Sequence, residues 1–276
     1  MTAPSVIASG VGFRNLRVFA LDPTTGLIAA TSASTVYEGV LVSGVKTLTI
    51  NDPEPRLITH VGDDAPFALD VLPPLEAVTG SLTTAKQNDT LDAVLTPLKS
   101  FTVGETKMFP VGTDKRGFEV AVGALAYRQT EDTDPTSSTF GRRNWQFKIM
   151  PQAIFIPLES GYTDAPEDRT YTLRPGFSTK QLWGTALSLA TEGCLRSQVM
   201  RGISQYKPKI VAWLGDNSTT VFSFPTDAPA AATSKIAIWL DGVLRTTNLT
   251  LTTTSITFTA SPPGTGVNMT VLYETA

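Results

Sequence analysis

Cysteine and histidine are almost missing from this chain: its 276 residues include one of each, Cys194 and His60. One cysteine rules out an intrachain disulfide framework, and the pair cannot build a Cys/His zinc site within one chain. Charge is also scarce, at 17% of residues against 41% hydrophobic, which is too little for a disordered polyelectrolyte and enough apolar surface to fill a core. The 22 Lys and Arg are outnumbered by 25 Asp and Glu, a net of -3, so a surface built to neutralise many phosphates is not expected. Long apolar runs are absent too. The most apolar stretches, such as Val120 to Tyr127 and Ile154 to Leu158, fall far short of the roughly 20 residues that a membrane helix needs, and no membrane span is expected. The first twelve residues lack a basic stretch followed by an apolar one, so export by a signal peptide is not expected. The four Asn-x-Ser/Thr triplets, beginning at Asn88, Asn217, Asn248 and Asn268, then read as chance in a Thr-rich chain.

What is present is Thr and Val alternating in short runs cut by Gly, Pro and Asp, the pattern of antiparallel strands and turns. Phe13 to Leu21 reads as a strand stopped by Asp22-Pro23-Thr24-Thr25-Gly26, with Leu27 starting the return. Val36 to Val42 and Val45 to Ile50 read as a pair broken at Ser43-Gly44, followed by shorter strands at Leu57 to Val61 and Phe67 to Leu72. Thr83 to Leu95 carries Leu91, Val94 and Leu95 at helical spacing before Pro97, so one helix is expected there, centred on Asp89 to Leu95. Phe118 to Arg128 and Trp145 to Met150 read as strands about the polar segment Gln129 to Arg143, expected to be a mobile loop or a hairpin ordered by a partner. Pro151 and Pro157 bracket a further strand, Ala153 to Ile156; Gln181 to Ala190 fits either helix or strand.

Composition changes near Gln205-Tyr206-Lys207-Pro208-Lys209, beyond which only Lys235 and Arg245 are basic. A boundary there divides the chain into residues 1–208 and 209–276. The second part shows strands at Thr220 to Phe224, Lys235 to Leu240, Leu249 to Thr252, Ile256 to Thr259 and Val267 to Tyr273. Asp241-Gly242 is a tight-turn dipeptide, Ile236, Ile238 and Leu240 should face a small core, and Trp239 should cover the other face.

Catalytic signatures do not appear. The chain has no Gly-Lys-Ser/Thr phosphate loop, no G-x-S-x-G elbow and no H-E-x-x-H pair, and Gly10-Val11-Gly12 precedes a strand instead of a helix. His60, inside a strand, reads as a structural imidazole, and Cys194 as a buried thiol despite nearby Arg196. A glycosidase needs only two carboxylates, and Asp63-Asp64, Asp132 with Asp134, and Glu167-Asp168 are the candidate pairs, all in loops where solvated turn-formers are common. No cofactor is expected. Asp114-Lys115-Arg116 and Arg142-Arg143 are the notable basic clusters, facing either water or an acidic neighbour.

Three stretches together carry a resemblance. They are Thr90-Leu91-Asp92-Ala93-Val94-Leu95, then Gly117-Phe118-Glu119-Val120-Ala121-Val122-Gly123-Ala124-Leu125, then Trp145-Gln146-Phe147-Lys148-Ile149-Met150-Pro151-Gln152-Ala153. This order of helix, apolar strand, polar loop and proline-ended strand resembles the major tail tube proteins of long, flexible-tailed bacteriophages over roughly residues 1–208. Ser218 to Pro225, Ile238 to Val243, Ile256 to Gly264 and Val271-Leu272-Tyr273 are similar to small Ig-like β-sandwich modules appended to phage tail and fibre proteins.

The resemblance implies a mainly β protein: a β-sandwich or barrel tail-tube domain with one flanking α-helix, plus a small C-terminal β-sandwich decoration domain. It implies six copies in a ring, and rings stacked into a virion tail tube through which genomic DNA passes without sequence-specific binding. The implied partners are further copies, the tail terminator, the tip or baseplate and the tape measure, after synthesis in the host cytoplasm. Such a protein is structural and not an enzyme. The alternative readings are a carbohydrate- or receptor-binding virion module, then a hydrolase using loop carboxylates. On the tube reading, Asp132, Asp134, Arg142 and Arg143 are the expected ring-to-ring interface, the inner wall is expected not to be basic, and a chain ending at Lys209 is expected still to assemble.

Overall fold

Turn-forming Pro, Gly, Asp and Asn cut the chain often, and among the described residues nearly all the regular structure between these cuts is strand. The structure is a computed structural model, describing residues 8–10, 15–42, 44–51, 56–62, 65–72, 78–85, 94, 101–103, 106–108, 122–138, 140–158, 168–176 and 199–275. The strands in chain order are β1 (Ala8–Gly10), β2 (Asn15–Ala20), β3 (Val40–Val42), β4 (Val45–Asn51), β5 (Arg56–Gly62), β6 (Ala65–Leu72), β7 (Thr79–Thr84), β8 (Phe101–Val103), β9 (Thr106–Met108) and β10 (Val122–Asp132). They continue with β11 (Arg143–Pro157), β12 (Arg169–Pro175), β13 (Met200–Ser204), β14 (Lys207–Leu214), β15 (Val221–Ser223), β16 (Ile236–Leu240), β17 (Val243–Leu244), β18 (Leu249–Leu251), β19 (Ser255–Phe258) and β20 (Asn268–Thr275). The protein is mainly β. Of the expected helix, Thr83 and Thr84 lie in β7, and Val94 has helical backbone and packs on the core; 86–93 and 95–100 lie outside the described residues. Gln181 to Ala190 lies outside them too.

The largest sheet follows the path β3-β2-β10-β11-β12-β7-β4, with β1 added to β10 and β13 to β11. The expected hairpin of Val36–Val42 with Val45–Ile50 does not form. β3 pairs with β2 and β4 with β7, at opposite ends of the path, although only Ser43 and Gly44 separate them in sequence. Gly44, at φ 72°, redirects the chain where a residue with a Cβ would be strained. The sheet therefore bends back on itself. Val42 and Val45 meet in one core with Leu16, Val18, Leu82, Ala124, Ala126, Met150, Phe155, Tyr171 and Leu173.

Two other local expectations change for physical reasons. β3 starts only at Val40 because Gly39, at φ 70°, turns the chain over the Phe19 ring; a Cβ there would lie 2.7 Å from that ring. Pro151 does not end a strand. β11 runs through it, because the register between Val122↔Ala153 and Ala124↔Met150 sets two residues against Gly123, a β-bulge that accepts a residue with no N–H to donate.

The C-terminal region stacks the four-stranded sheet β14-β20-β16-β17 on the three-stranded sheet β15-β19-β18. Between them lie Val211, Trp213, Phe222, Phe224, Ile238, Ile256, Phe258, Met269, Val271 and Tyr273, with Ile236 and Leu240 packed at the margin. Asp241 and Gly242 both take positive φ, 48° and 81°, and join β16 to β17 with Leu240 opposite Val243, as a two-residue hairpin requires. Trp239 is buried on the sheet's other face, in register with Thr270 and through it with Ala212.

That other face is where the N-terminal and C-terminal parts join. Ile210 and Ala212 are buried with Phe19, Leu27, Ile28, Leu125, Tyr127 and Ile149 in a second apolar layer. The segment 28–38 then straps the C-terminal sheet along the edge of β14. Tyr37 and Ala212 exchange both backbone hydrogen bonds at 2.9 Å, and the Leu214 N–H donates to the Ser32 carbonyl at 2.9 Å. Ala33 and Val36 of the strap reach the sandwich core. Asn268 Nδ2 donates to the Ile28 carbonyl at 2.6 Å, while its Oδ1 accepts from the Thr270 hydroxyl at 2.9 Å. A charge cluster closes the seam: Glu38 Oε2 lies 2.9 Å from the buried Lys209 Nζ and 3.6 Å from Arg17 Nη1. The expected boundary at 208/209 falls inside β14.

Candidate assembly surface

β10 and β11 outrun the sheet that holds them. β2 accompanies β10 only over Val122–Tyr127, and β12 accompanies β11 only over Ala153–Pro157. Toward the hairpin tip, β1 takes the β10 side at Thr130–Asp132 and β13 takes the β11 side at Trp145–Ile149. The result is a four-stranded arm in the order β1-β10-β11-β13, antiparallel throughout.

Alternation gives the arm two different faces. Tyr127, Trp145, Phe147 and Ile149 belong to the layer against β14, with the Lys207 ammonium 5.3 Å above the Tyr127 ring. Gly202 stands opposite Phe147, and a Cβ there would lie 2.3 Å from the ring, so only glycine lets the ring rest on the backbone of β13. The other face carries Arg128, Gln146, Lys148, Arg201 and Ile203, with Arg128 Nε donating to Gln146 Oε1 at 2.7 Å. Ile203 is half exposed.

The tip holds the four expected interface residues, in unlike roles. Asp132 is buried; its Oδ1 accepts from the Asp134 N–H at 3.1 Å and its Oδ2 from the Ser137 hydroxyl at 2.8 Å. Asp134 accepts from the N–H and hydroxyl of Thr136 at 2.9 and 2.7 Å. The hairpin is therefore closed by its own chain, with further bonds from Asp132 N–H to the Arg142 carbonyl and from Gly141 N–H to the Asp132 carbonyl. Arg142 and Arg143 point into solvent beside Phe140, which is 61% exposed. Short polar side chains that accept from the next turn's N–H groups order such a loop without a partner.

Among the described residues, the carboxylates considered for hydrolysis are held separately. Asp132 and Asp134 serve their own turn, and Asp168 is paired with Lys46 at 2.6 Å. Asp63, Asp64, Glu167, Cys194, Arg196 and Asp114-Lys115-Arg116 lie outside the described residues. His60 sits in β5 opposite Ala68. Among the described residues no group of three His, Cys, Asp or Glu side chains gathers as metal ligands, and no helix is long and apolar enough to cross a membrane.

The chain matches no known family model, curated protein or solved structure. Its chemistry must then be read from its own surfaces. Two of these are strand edges: among the described residues, the outer sides of β1 and β13 pair with no further strand. Sequence reasoning missed them because an open edge is a property of the sheet order and leaves no mark on the strand's own residues.

Proposed function

We propose that the chain is a structural subunit that joins copies of itself into rings, and that the rings stack into a phage tail tube conducting DNA. The single observation that carries this reading is the arm with its two open edges. Unpaired strand edges invite pairing and are ordinarily blunted or covered. Here they lie on opposite sides of one four-stranded antiparallel sheet, and β1 runs opposite to β13. The β13 edge of one subunit therefore fits the β1 edge of the next in antiparallel sense, which is a head-to-tail contact that closes a ring when the rotation closes. The tube, the ring of six, the terminator, tip and tape-measure partners and the virion location rest on the resemblance stated above. Arg142 and Arg143 at the tip are the ring-to-ring contacts in this reading, with Asp132 and Asp134 shaping the loop that presents them.

A glycan-binding role for the C-terminal sandwich has less in its favour. All six of its aromatic residues, Trp213, Phe222, Phe224, Trp239, Phe258 and Tyr273, are buried, so none offers a ring to a sugar. The test is negative-stain microscopy of the purified chain over a concentration series, with mass followed by light scattering, for the full chain and for a chain lacking residues 1–11. The full chain should give rings or hollow tubes, and the shortened chain should stay monomeric with an unchanged circular dichroism spectrum. A full chain that stays monomeric at every concentration, or a shortened one that still assembles, would overturn this reading.

A further inference from the structure

The C-terminal sandwich holds two buried polar groups that its own strands do not serve. Lys209 Nζ lies 2.9 Å from Glu38 Oε2, and Asn268 Nδ2 donates to the Ile28 carbonyl at 2.6 Å; both partners belong to the strap. Among the described residues neither the ammonium nor the amide N–H has another partner. A buried ammonium and a buried amide left without acceptors are costly, so the sandwich needs what the strap brings. The two groups also mark the ends of one line. Lys209 is near the start of β14, and Asn268 stands opposite Leu214 at its end, so about 17 Å of strand edge separates the two positions.

Along that edge the strap takes up backbone groups as an added strand would. Ala212 exchanges both hydrogen bonds with Tyr37, and the Leu214 N–H donates to the Ser32 carbonyl, each at 2.9 Å. The register is not one to one. From Ser32 to Tyr37 the strap takes five residue steps, while β14 takes two from Leu214 to Ala212. The Ser32 hydroxyl gathers part of the surplus into a turn by accepting from the N–H groups of Ser34 and Thr35, both at 3.2 Å. Ala33 and Val36, on either side of Ser34 and Thr35, are laid against the sandwich core. The strap thus meets the sandwich at five points: a carbonyl at Asn268, backbone groups at Leu214 and Ala212, an apolar plug between them, and a carboxylate at Lys209.

In strand addition, main-chain bonds supply affinity and side-chain pockets select the partner. We infer that the C-terminal sandwich is a strand-binding module: its β14 edge takes a segment with small apolar residues three apart and a carboxylate just beyond them, and residues 28–38 are its ligand within the chain. The ligand class follows from the site. The core against which Ala33 and Val36 pack is apolar and has no place for a charge. Glu38 is the one charged residue of the strap, and it falls where Lys209 waits for an anion. Rings and tubes play no part in this site.

The test sets a free strap against the tethered one in the full chain. A fluorescein-labelled peptide of residues 28–38 is titrated, by fluorescence anisotropy, into the native chain and into V36D, whose own strap can no longer place residue 36 on the core. The peptide should bind V36D about tenfold or more tightly than the native chain, where the tethered strap competes at high effective concentration. Hydrogen exchange at the Ala212 and Leu214 amides should quicken in V36D and slow again when the peptide is bound. A peptide carrying E38Q should bind V36D about tenfold or more weakly, since it leaves Lys209 without its charge partner. Should V36D fail to fold, Val36→Thr, close to valine in shape, gives the same order with a smaller gap and decides the question. Equal binding by the strap peptide and a shuffled one, no binding to either variant, or amides that the peptide leaves unprotected would overturn the inference.

Discussion

Replacing Asn268 by alanine should destabilise the whole molecule and not only the sandwich in which Asn268 lies. The side chain is 7% exposed and serves two groups: it donates to the Ile28 carbonyl of the strap and accepts from the buried Thr270 hydroxyl. Alanine removes both hydrogen bonds, leaving the buried Thr270 hydroxyl without its acceptor and the Ile28 carbonyl with only the Ala30 N–H, at 2.8 Å. An unsatisfied buried hydroxyl costs about 1–3 kcal/mol and a lost hydrogen bond about 0.5–1.5 kcal/mol, so the sum is about 1.5–4.5 kcal/mol. Because one of the two lost bonds ends on residue 28, the loss should be felt on both sides of the seam. Urea unfolding followed by tryptophan fluorescence and by far-UV circular dichroism should show one shared transition for the native chain, moved to lower urea in N268A for both probes alike. Asn268→Asp keeps an acceptor for Thr270 but loses the donor and buries a charge, so it should be at least as damaging. A shift under about 0.5 kcal/mol, well below that range, would refute the reasoning. So would two separate transitions of which only one moves, since the parts would then fold independently.

Three further outcomes follow from the same physics. A chain ending at Lys209 should aggregate and bind a hydrophobic dye, because it uncovers Phe19, Ile28, Leu125, Tyr127 and Ile149, each worth about 1.5–3 kcal/mol when buried; a soluble monomer by sedimentation would contradict this. Gly39→Ala should cost more stability than Gly266→Ala in thermal melts. Both glycines have positive φ, a strain of about 1–2 kcal/mol for alanine, but a Cβ at 39 meets the Phe19 ring at 2.7 Å and one at 266 meets nothing within 4 Å; equal losses would show that Phe19 yields freely. Tyr273, whose hydroxyl donates to the Ala228 carbonyl, is held protonated far above the usual tyrosine range, by burial first and then by the negative charges of Glu38 and Asp227. A raised folded pKa means that its contribution is complete below about pH 10 and is lost as pH rises beyond it. Phenolate absorbance of the native chain should therefore include a part that appears only with alkaline unfolding, and Tyr273→Phe should reduce that part by one tyrosine; a Tyr273→Phe chain in which that part is unchanged would dispose of the idea.

Local pattern carried much of the strand assignment. Trp145, Phe147 and Ile149 alternate cleanly and do share one face, and Asp241-Gly242 makes the turn its backbone freedom suggests. Pairing was far less legible. Period-2 alternation says which side of a strand is apolar and nothing about its neighbour, so two strands separated by Ser43-Gly44 read as a hairpin although they border opposite ends of the sheet. The strap was invisible for a related reason. Its ties are backbone hydrogen bonds and small apolar contacts from Ala33 and Val36, and the bond from Asn268 to Ile28 spans 240 residues. The tip residues could be grouped from sequence because they flank one turn. Their division into carboxylates that order the loop and arginines that project from it depends on bond directions that only coordinates supply.

The seam also restricts how any tube could be built. One face of the arm is committed within the subunit, since Tyr127, Trp145 and Phe147 lie against the C-terminal sheet. A sandwich tied by a strap, a charge cluster and Asn268 is a fixed flank of the large sheet and does not hang from a linker. Among the described residues, the arm's other face bears Arg128, Lys148 and Arg201, with Lys148 directly opposite Arg201. A ring closed through the β1 and β13 edges turns that face either inward or outward as a whole. Turned inward, it repeats three cations per subunit around the bore, and phosphates would be held by counterion release instead of sliding past. A conduit with a wall that does not grip DNA therefore requires either that this face look away from the bore or that carboxylates of the same or the next subunit neutralise it. A reconstruction of the tube that places Arg128, Lys148 and Arg201 in the lumen with no acidic neighbour would overturn the expectation of an inner wall that is not basic.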